Sequence, residues 1–215
     1  MNLFDLLDDA TRQDAHTGRI YGVVVGLVTN NQDPDKMGRV KVKFPWLSDA
    51  DESAWARVAA PMAGKERGVC FLPEVDDEVL VVFEHGDVRF PYVLGALWNG
   101  QDAPPFANDD GKNNVRIIKS RSGHVVKLND EDGKETIEII DKSAKNSIVI
   151  DTAKNTITVT TDKDIALSAA KGTIKLDAQK VEINSTDAMQ VKAGGTMNVE
   201  ATSTMTIKGA TVNIN

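Results

Sequence analysis

From Ile148 onward the apolar residues come in pairs two apart, and the pairs recur at a nearly fixed interval. Ile148/Ile150, Ile157/Val159, Ile165/Leu167, Ile174/Leu176, Val181/Ile183, Met189/Val191, Met197/Val199, Met205/Ile207 and Val212/Ile214 make nine pairs, whose first members step by 7 to 9 residues and by 8.0 on average. Successive side chains on a strand point to opposite faces, so a spacing of two means a short strand with one apolar face, and it excludes a helix. The abundant Val, Ile and Thr favour strands, and the turn formers Gly172, Asn184-Ser185-Thr186, Gly194-Gly195 and Gly209 stand between pairs.

Strands of about five residues in every eight leave about three for each connection, too few for a parallel crossover within one sheet. A hairpin meander also meets the spacing. A single chain with two modest apolar side chains per strand, however, encloses little core. The economical solution is three identical chains wound about one axis as an intertwined β-helix, a triangular prism in which the pairs from Ile148 to Ile207 fill a shared interior. Each repeat then adds about one strand spacing, ~4.8 Å, so nine repeats give a rod of roughly 43 Å. Met189, Met197 and Met205 stack at one inward position of consecutive layers and are read as core filling.

Composition divides the chain in two. All eleven aromatic residues and all seven prolines lie within residues 1–106, which also carry 10 basic and 17 acidic side chains. Residues 107–215 carry 15 of each, and serine and threonine rise from 5 to 20 across the divide. An acidic front half and a neutral second half offer no basic stripe for a phosphate backbone, so nucleic acid is not an expected partner. The longest apolar runs are far shorter than a membrane span, and the acidic start MNLFDLLDD lacks the basic opening of a signal peptide. One cysteine, Cys70, excludes a disulfide framework, and three scattered histidines make a zinc site unexpected.

In the front half, residues 19–28, 38–44, 53–60, 68–72, 78–83 and 90–98 are short apolar or alternating runs separated by turn residues. Five or six such strands in some 80 residues, with almost no helical pattern, predict a small closed barrel of the OB type. Ahead of it, Leu3, Phe4, Leu6, Leu7 and Ala10 form an apolar stripe at helical spacing, opposite Asp5, Asp8 and Asp9. This arm packs on its own barrel or docks on a neighbouring protein. Between the halves, Val126/Leu128 and Ile137/Ile139 flank Asn129-Asp130-Glu131-Asp132-Gly133, a hairpin signal that reads as a transition into the repeat. The expected organisation is an all-β chain: an arm over 1–18, an OB-fold domain over 19–98, a linker over 99–114, a neck over 115–147 and the trimeric β-helix over 148–215.

Residues 33–100, with Gly38-Arg39-Val40, Phe44-Pro45-Trp46, Pro73-Glu74-Val75 and Glu84-His85-Gly86-Asp87 in order, resemble the OB domain of phage baseplate assembly protein V, of the tail-spike hub and of the valine-glycine repeat (VgrG) spikes of type VI secretion. Residues 121–139 are similar to the neck of the same family. The resemblance implies a structural homotrimeric spike of a contractile injection system that pierces the target envelope when the sheath contracts. It implies assembly in the producing cell's cytoplasm, delivery to the target envelope and transient contact with the target membrane. The large hub domain that precedes the barrel in VgrG proteins and the lysozyme domain of some tail spikes have no counterpart here, so a separate trimeric hub is expected, docked through Leu3, Phe4, Leu6 and Leu7. Some phage spikes carry a His-X-His iron site at the tip; here Val212, Asn213, Ile214 and Asn215 lack histidine, and a separate PAAR-type tip protein is expected to cover them.

Competing chemistry finds little support. Glu84-His85-Gly86-Asp87 is read as a turn, Asp130, Glu131 and Asp132 as an acidic hairpin tip without EF-hand spacing, and Cys70 as a buried residue of an apolar run. Ser122-Gly123-His124 forms no triad; His124 stacked with its symmetry mates around an anion or metal is a minor alternative. No catalytic, cofactor or metal residues are assigned. Two other functions compete: a polysaccharide-degrading β-helical tail enzyme, which needs an ordered acidic groove, and a receptor-binding tail fibre, which needs exposed aromatics after Phe106. The sequence has neither feature.

Overall fold

The computed structural model describes residues 18–47 and 51–214. The alternating front-half runs close into a barrel. Strand β1 (Val24–Asn30), β2 (Arg39–Lys43) and β3 (Ala56–Val58) are followed by a small hairpin of β4 (Ala63–Gly64) and β5 (Arg67–Gly68), then by β6 (Glu78–Phe83) and β7 (Pro91–Ala96). The barrel order is β1-β2-β3-β7-β6, with β3 and β7 parallel and the other neighbours antiparallel. The alternation in β2 and β6 sends Val40, Val42, Val79, Val81 and Phe83 inward to meet Val28, Phe44, Ala56 and Val93, and these nine residues form the core. Phe44 and Phe83 pack edge to face at 5.5 Å, an arrangement favoured by their opposed ring quadrupoles.

The five-stranded OB-like barrel is therefore as expected, with one correction in detail. The 68–72 run is no barrel strand: only Arg67–Gly68 is extended, paired with Ala63–Gly64 outside the barrel. Gly68 has φ +155°, and a Cβ there would lie 2.6 Å from the Met62 carbonyl oxygen. Only glycine fits this close approach of the Gly68 and Met62 backbones; the segment beyond it lies off the barrel wall, and Val69, Phe71 and Leu72 are exposed.

A second sheet follows: β8 (Val115–Lys119), β9 (Val125–Asn129), β10 (Thr136–Ile140), β11 (Ser147–Asp151) and β12 (Thr156–Thr160), an open antiparallel meander in chain order. The transition hairpin is present, with Val126 opposite Ile139 and Leu128 opposite Ile137. The sheet extends further along the chain than expected. Ile148/Ile150 and Ile157/Val159, the first two pairs of the repeat, are strands of this meander, with Ile148 opposite Val159 and Ile150 opposite Ile157. The turn after β11 explains the difference: Asn155 takes φ +56°, its N–H bonds to the Thr152 carbonyl at 3.2 Å, and the Lys154 N–H bonds to the Asp151 carboxylate at 2.9 Å. Such a locally satisfied turn returns the chain antiparallel beside itself.

The chain divides after Asp162 into two units. In the second, residues 163–214 form no strand, and among the described residues the backbone hydrogen bond within the stretch runs from the Gly172 N–H to the Ala169 carbonyl, 3.2 Å.

Gly26 of β1 is required by the packing, since a Cβ there would stand 2.3 Å from Val42 Cγ1 and 3.1 Å from the Lys43 carbonyl oxygen. Gly26→Ala is expected to destabilise the barrel by about 1–3 kcal/mol through overpacking. All three tryptophans lie in the front half, so urea unfolding followed by tryptophan fluorescence reads the barrel directly; an unchanged midpoint would contradict the close approach.

Candidate assembly surface

The meander's register aligns two rows across five strands. Arg116, Leu128, Ile137, Ile150 and Ile157 make one, and Ile118, Val126, Ile139, Ile148 and Val159 the other. Nine of these ten are branched aliphatics, between 37% and 71% exposed. The reverse face carries Val115, Ile117, Val125, Ile140 and Val149 interleaved with Lys127, Thr136, Glu138, Ser147 and Thr158, and over the first four strands it is the less exposed of the two. An antiparallel sheet ordinarily buries its apolar face and wets its polar one. Here both faces carry aliphatic side chains and the face with nine of them is the more exposed, and contiguous apolar surface of this kind marks an interaction site.

Polar contacts frame this face without crossing it. Arg116 pairs with Asp130 at 2.7 Å at one edge, and on the reverse side Lys127 pairs with Glu138 at 3.1 Å. Partial burial pushes the Glu138 carboxyl up, but hydrogen bonds from Thr136 and Lys127 together outweigh it and hold the group below its ordinary range. Beyond the meander the repeat keeps its alternation: first members of the pairs from Ile165 to Val212 are 46–57% exposed, second members 66–86%. Both members of each pair are thus exposed, in a stretch that supplies its own backbone with almost no partners among the described residues.

The barrel is joined to the meander by an ion pair between Arg121, in the β8–β9 turn, and Glu74, at 3.0 Å. In the same turn, His124 Nδ1 accepts the Lys142 N–H at 3.2 Å. At the barrel surface, Arg39 forms a fork on Asp33, 2.7 Å, and reaches Asp35 at 2.5 Å, with Trp55 beside both Arg39 and Lys41. The Arg39 hydrogen bonds hold the Asp33 carboxyl well below the usual range. The Arg89 hydrogen bonds bring Asp87 down to about 2, and in the meander the Ser143 hydroxyl does the same for Asp141, also about 2.

Placed on this structure, the core positions assigned from the sequence separate into two groups. Ile148, Ile150, Ile157 and Val159 are on the meander face, whereas Ile165, Leu167, Ile174, Leu176, Val181, Ile183, Met189, Val191, Met197, Val199, Met205 and Ile207 are in the stretch after Asp162. Val212 and Ile214 are 47% and 86% exposed; Asn215 lies outside the described residues, as do Leu3, Phe4, Leu6 and Leu7. The sequence pattern does not single out Ile118, Val126, Leu128, Ile137 and Ile139 as part of the candidate surface, although the same spacing of two marks four of them.

Glu84-His85-Gly86-Asp87 is a turn. Glu84–Gly86 is a single 3-10 turn with His85 at φ +47°, and the Gly86 carbonyl accepts the Ile20 N–H at 2.8 Å. Asp130, Glu131 and Asp132 sit at the β9–β10 tip, where Glu131 pairs with Lys134. Cys70 is exposed, a correction to the buried position expected, because its segment leaves the barrel wall. Among the described residues no three His, Cys, Asp or Glu side chains converge on a common point that could hold a metal ion.

Residues 24–98, the closed barrel, match the family model of the type VI secretion system/phage-baseplate injector OB domain. The barrel is similar to the OB domain of these injectors. The chain is 36% identical over 99 residues to the type VI secretion system spike protein VgrG3 of Vibrio cholerae, an alignment covering 44% of this chain and 10% of that protein. It is 37% identical over 108 residues to the spike protein VgrG2a of Pseudomonas aeruginosa, covering 48% and 13%. To VgrG1a of the same organism it is 30% identical over 139 residues, covering 59% and 22%. The chain therefore spans about a tenth to a fifth of the length of these relatives.

The depressed carboxyls of the OB domain set its acid response. A carboxyl whose folded pKa lies below its unfolded value contributes stability that is fully present above the unfolded pKa, about 4, and is lost as pH falls through the folded one. For Asp87 the loss falls below about pH 4 and continues through about pH 2, and for Asp33, held lower by Arg39, it begins in the same range and extends further into acid. Urea midpoints of the barrel are expected to hold between pH 7 and pH 5 and to fall between pH 4 and pH 2. Asp33→Asn should lower the midpoint at pH 7 and flatten that fall; an equally steep fall in the variant would remove Asp33 from the account.

Proposed function

We propose that this chain is the subunit of a central spike of a contractile injection system. In this reading three copies associate through the meander face and the repeat that follows it, with the OB domain attached beneath the tube hub. The observation that carries the reading is the unfinished interior. Nine aliphatic side chains share the open face of the meander, and seven further pairs lie exposed in a stretch that forms no strand. Backbone N–H and C=O groups in an ordered segment need partners, and neighbouring copies supply them along with apolar cover. Three is the copy number because short strands with short connections can each turn onto a new face of a triangular prism, so that every chain contributes to every face.

The role is mechanical rather than enzymatic. The spike pierces the target envelope on contraction and touches the target membrane only transiently. A trimeric hub protein sits above the barrel. A PAAR-type tip protein covers the far end around Val212, Asn213, Ile214 and Asn215, where apolar side chains and strand edges otherwise face water. Assembly takes place in the producing cell's cytoplasm and delivery is to the target envelope. The similarity of the barrel to type VI spike proteins supports this placement, and the meander face supports the oligomer.

Size-exclusion chromatography with light scattering on the full chain is expected to give about 70 kDa, three times 23.3 kDa. Ile139→Lys and Ile148→Lys, on facing positions of adjacent strands, should each lower that mass by placing a charge in the shared interior. Amides of residues 163–214 should be strongly protected from hydrogen exchange in the wild type and should exchange freely in the dissociated variants. A stable wild-type species of about 23 kDa at micromolar concentration would end the proposal.

A further inference from the structure

Where the barrel passes into the linker, the chain carries the one Asn-Gly pair of its sequence, Asn99-Gly100. The chain folds back on itself there. The Asn99 N–H donates to the Asp102 carbonyl at 3.1 Å, and the Gln101 and Asp102 N–H groups both donate to Asn99 Oδ1, at 2.8 Å each. Asn99 Nδ2 reaches the carboxylate of Glu78, the first residue of β6, at 3.4 Å, and the Glu78 carbonyl accepts the Leu97 N–H at 2.8 Å. Gly100 is exposed and has open space where a Cβ would stand. Among the described residues its N–H forms no hydrogen bond. Gly111, which follows Asp110, differs in this respect, because the Asn108 carbonyl takes its N–H at 3.1 Å.

We infer that Asn99 is a self-modification site, at which the chain deamidates its own side chain without an enzyme. The Gly100 nitrogen attacks Asn99 Cγ, the new Cγ–N bond closes a succinimide ring, and the Cγ–Nδ2 bond breaks. The departing nitrogen takes the Gly100 proton and leaves as ammonia. Water then opens the ring: cleavage of the new bond gives aspartate, and cleavage of the original peptide bond leaves the chain running through Cγ as isoaspartate. A fold slows this reaction when it commits the attacking N–H to a partner, as buried backbone groups generally are. Here that nitrogen is uncommitted, and the two bonds to Oδ1 lean the side chain forward over Gly100. The same two donors face the oxygen on which negative charge develops as the ring closes, the arrangement that stabilises an oxyanion. Either product adds a carboxylate to the turn, and the aspartate form sets it directly against Glu78, where like charges repel. Isoaspartate also lengthens the main chain at the turn. Conversion therefore weakens the hold of the barrel on its linker, and the age of each subunit is recorded at that join.

Peptide mapping by mass spectrometry of the full chain, held at neutral pH and physiological temperature, reads the amide-to-acid exchange at residue 99. An isoaspartate-specific methyltransferase reads the branched product. Asn99 is expected to convert roughly tenfold faster in the folded chain than in the urea-unfolded chain, a small part of what aligned oxyanion donors provide. Gly100→Ala enters open space at a position without positive φ, so tryptophan fluorescence should still report a folded barrel while crowding of the attacking nitrogen slows conversion several-fold. Asn99→Asp, which copies one product, should lower the urea midpoint of the barrel at pH 7, and should lower it less in a Glu78→Gln background. Conversion in the folded chain no faster than in urea would overturn the inference, because the fold would then shield the amide. Conversion of Gly100→Ala at the wild-type rate would overturn it as well. A wild-type midpoint for Asn99→Asp would overturn the weakening of the join. The reaction needs one chain only, so none of these outcomes turns on the number of copies.

Discussion

The rest of this structure depends on a mismatch between where the apolar side chains are and where one chain can cover them. In the barrel the mismatch vanishes, because five strands curve until their inner faces meet and nine residues fill the space. In the meander the backbone is satisfied strand to strand, but the aliphatic rows from Ile118 to Val159 stay largely exposed among the described residues. In residues 163–214 neither requirement is met internally. The chain thus passes from self-sufficient, through half-finished, to dependent, in the order of its sequence.

That gradient has a simple origin in side-chain size and connection length. Large residues such as Phe44 and Phe83 let a small barrel bury a compact centre, and every aromatic residue lies before the meander. After Phe106 the apolar inventory is Ile, Val, Leu, Met and Ala, two inward positions to a strand, which is too little volume to close a core within one chain. Turns decide where the meander stops. The connections at Ala144 and Asn155 hold positive φ angles, supported by the Asn146 and Lys154 N–H groups donating to the Asp141 and Asp151 carboxylates, and reverse the chain beside itself. After Asp162 the described residues form no strand, although the paired apolar spacing continues.

Much of this is legible in the sequence because period two is a local property. The alternation of Val40 and Val42 with Arg39, Lys41 and Lys43 marks β2, and the Val126/Leu128 and Ile137/Ile139 pairs mark the hairpin. Pairing is not legible in the same way. Ile148/Ile150 has the same pattern as Met197/Val199, yet one is a strand of an antiparallel sheet and the other is not; the distinction lies in the turn after Asp151, not in the pairs. Cys70 misleads for a related reason, since the GVCFL run looks like a strand but its only extended pairing, at Gly68, is to Ala63 outside the barrel. The candidate surface is correspondingly legible in part: its repeat members stand out, whereas Ile118, Val126, Leu128, Ile137 and Ile139 pass for a mere transition.

The nearly partnerless backbone between Lys163 and Ile214 also bears on how subunit numbers are kept in balance. An extended segment that offers its peptide groups to solvent is an open substrate for proteases, whereas the same segment enclosed by sister chains is not. Under the proposed reading, every orphan subunit carries its own degradation signal and loses it on joining a complete particle. Stoichiometric quality control would then need no dedicated recognition element.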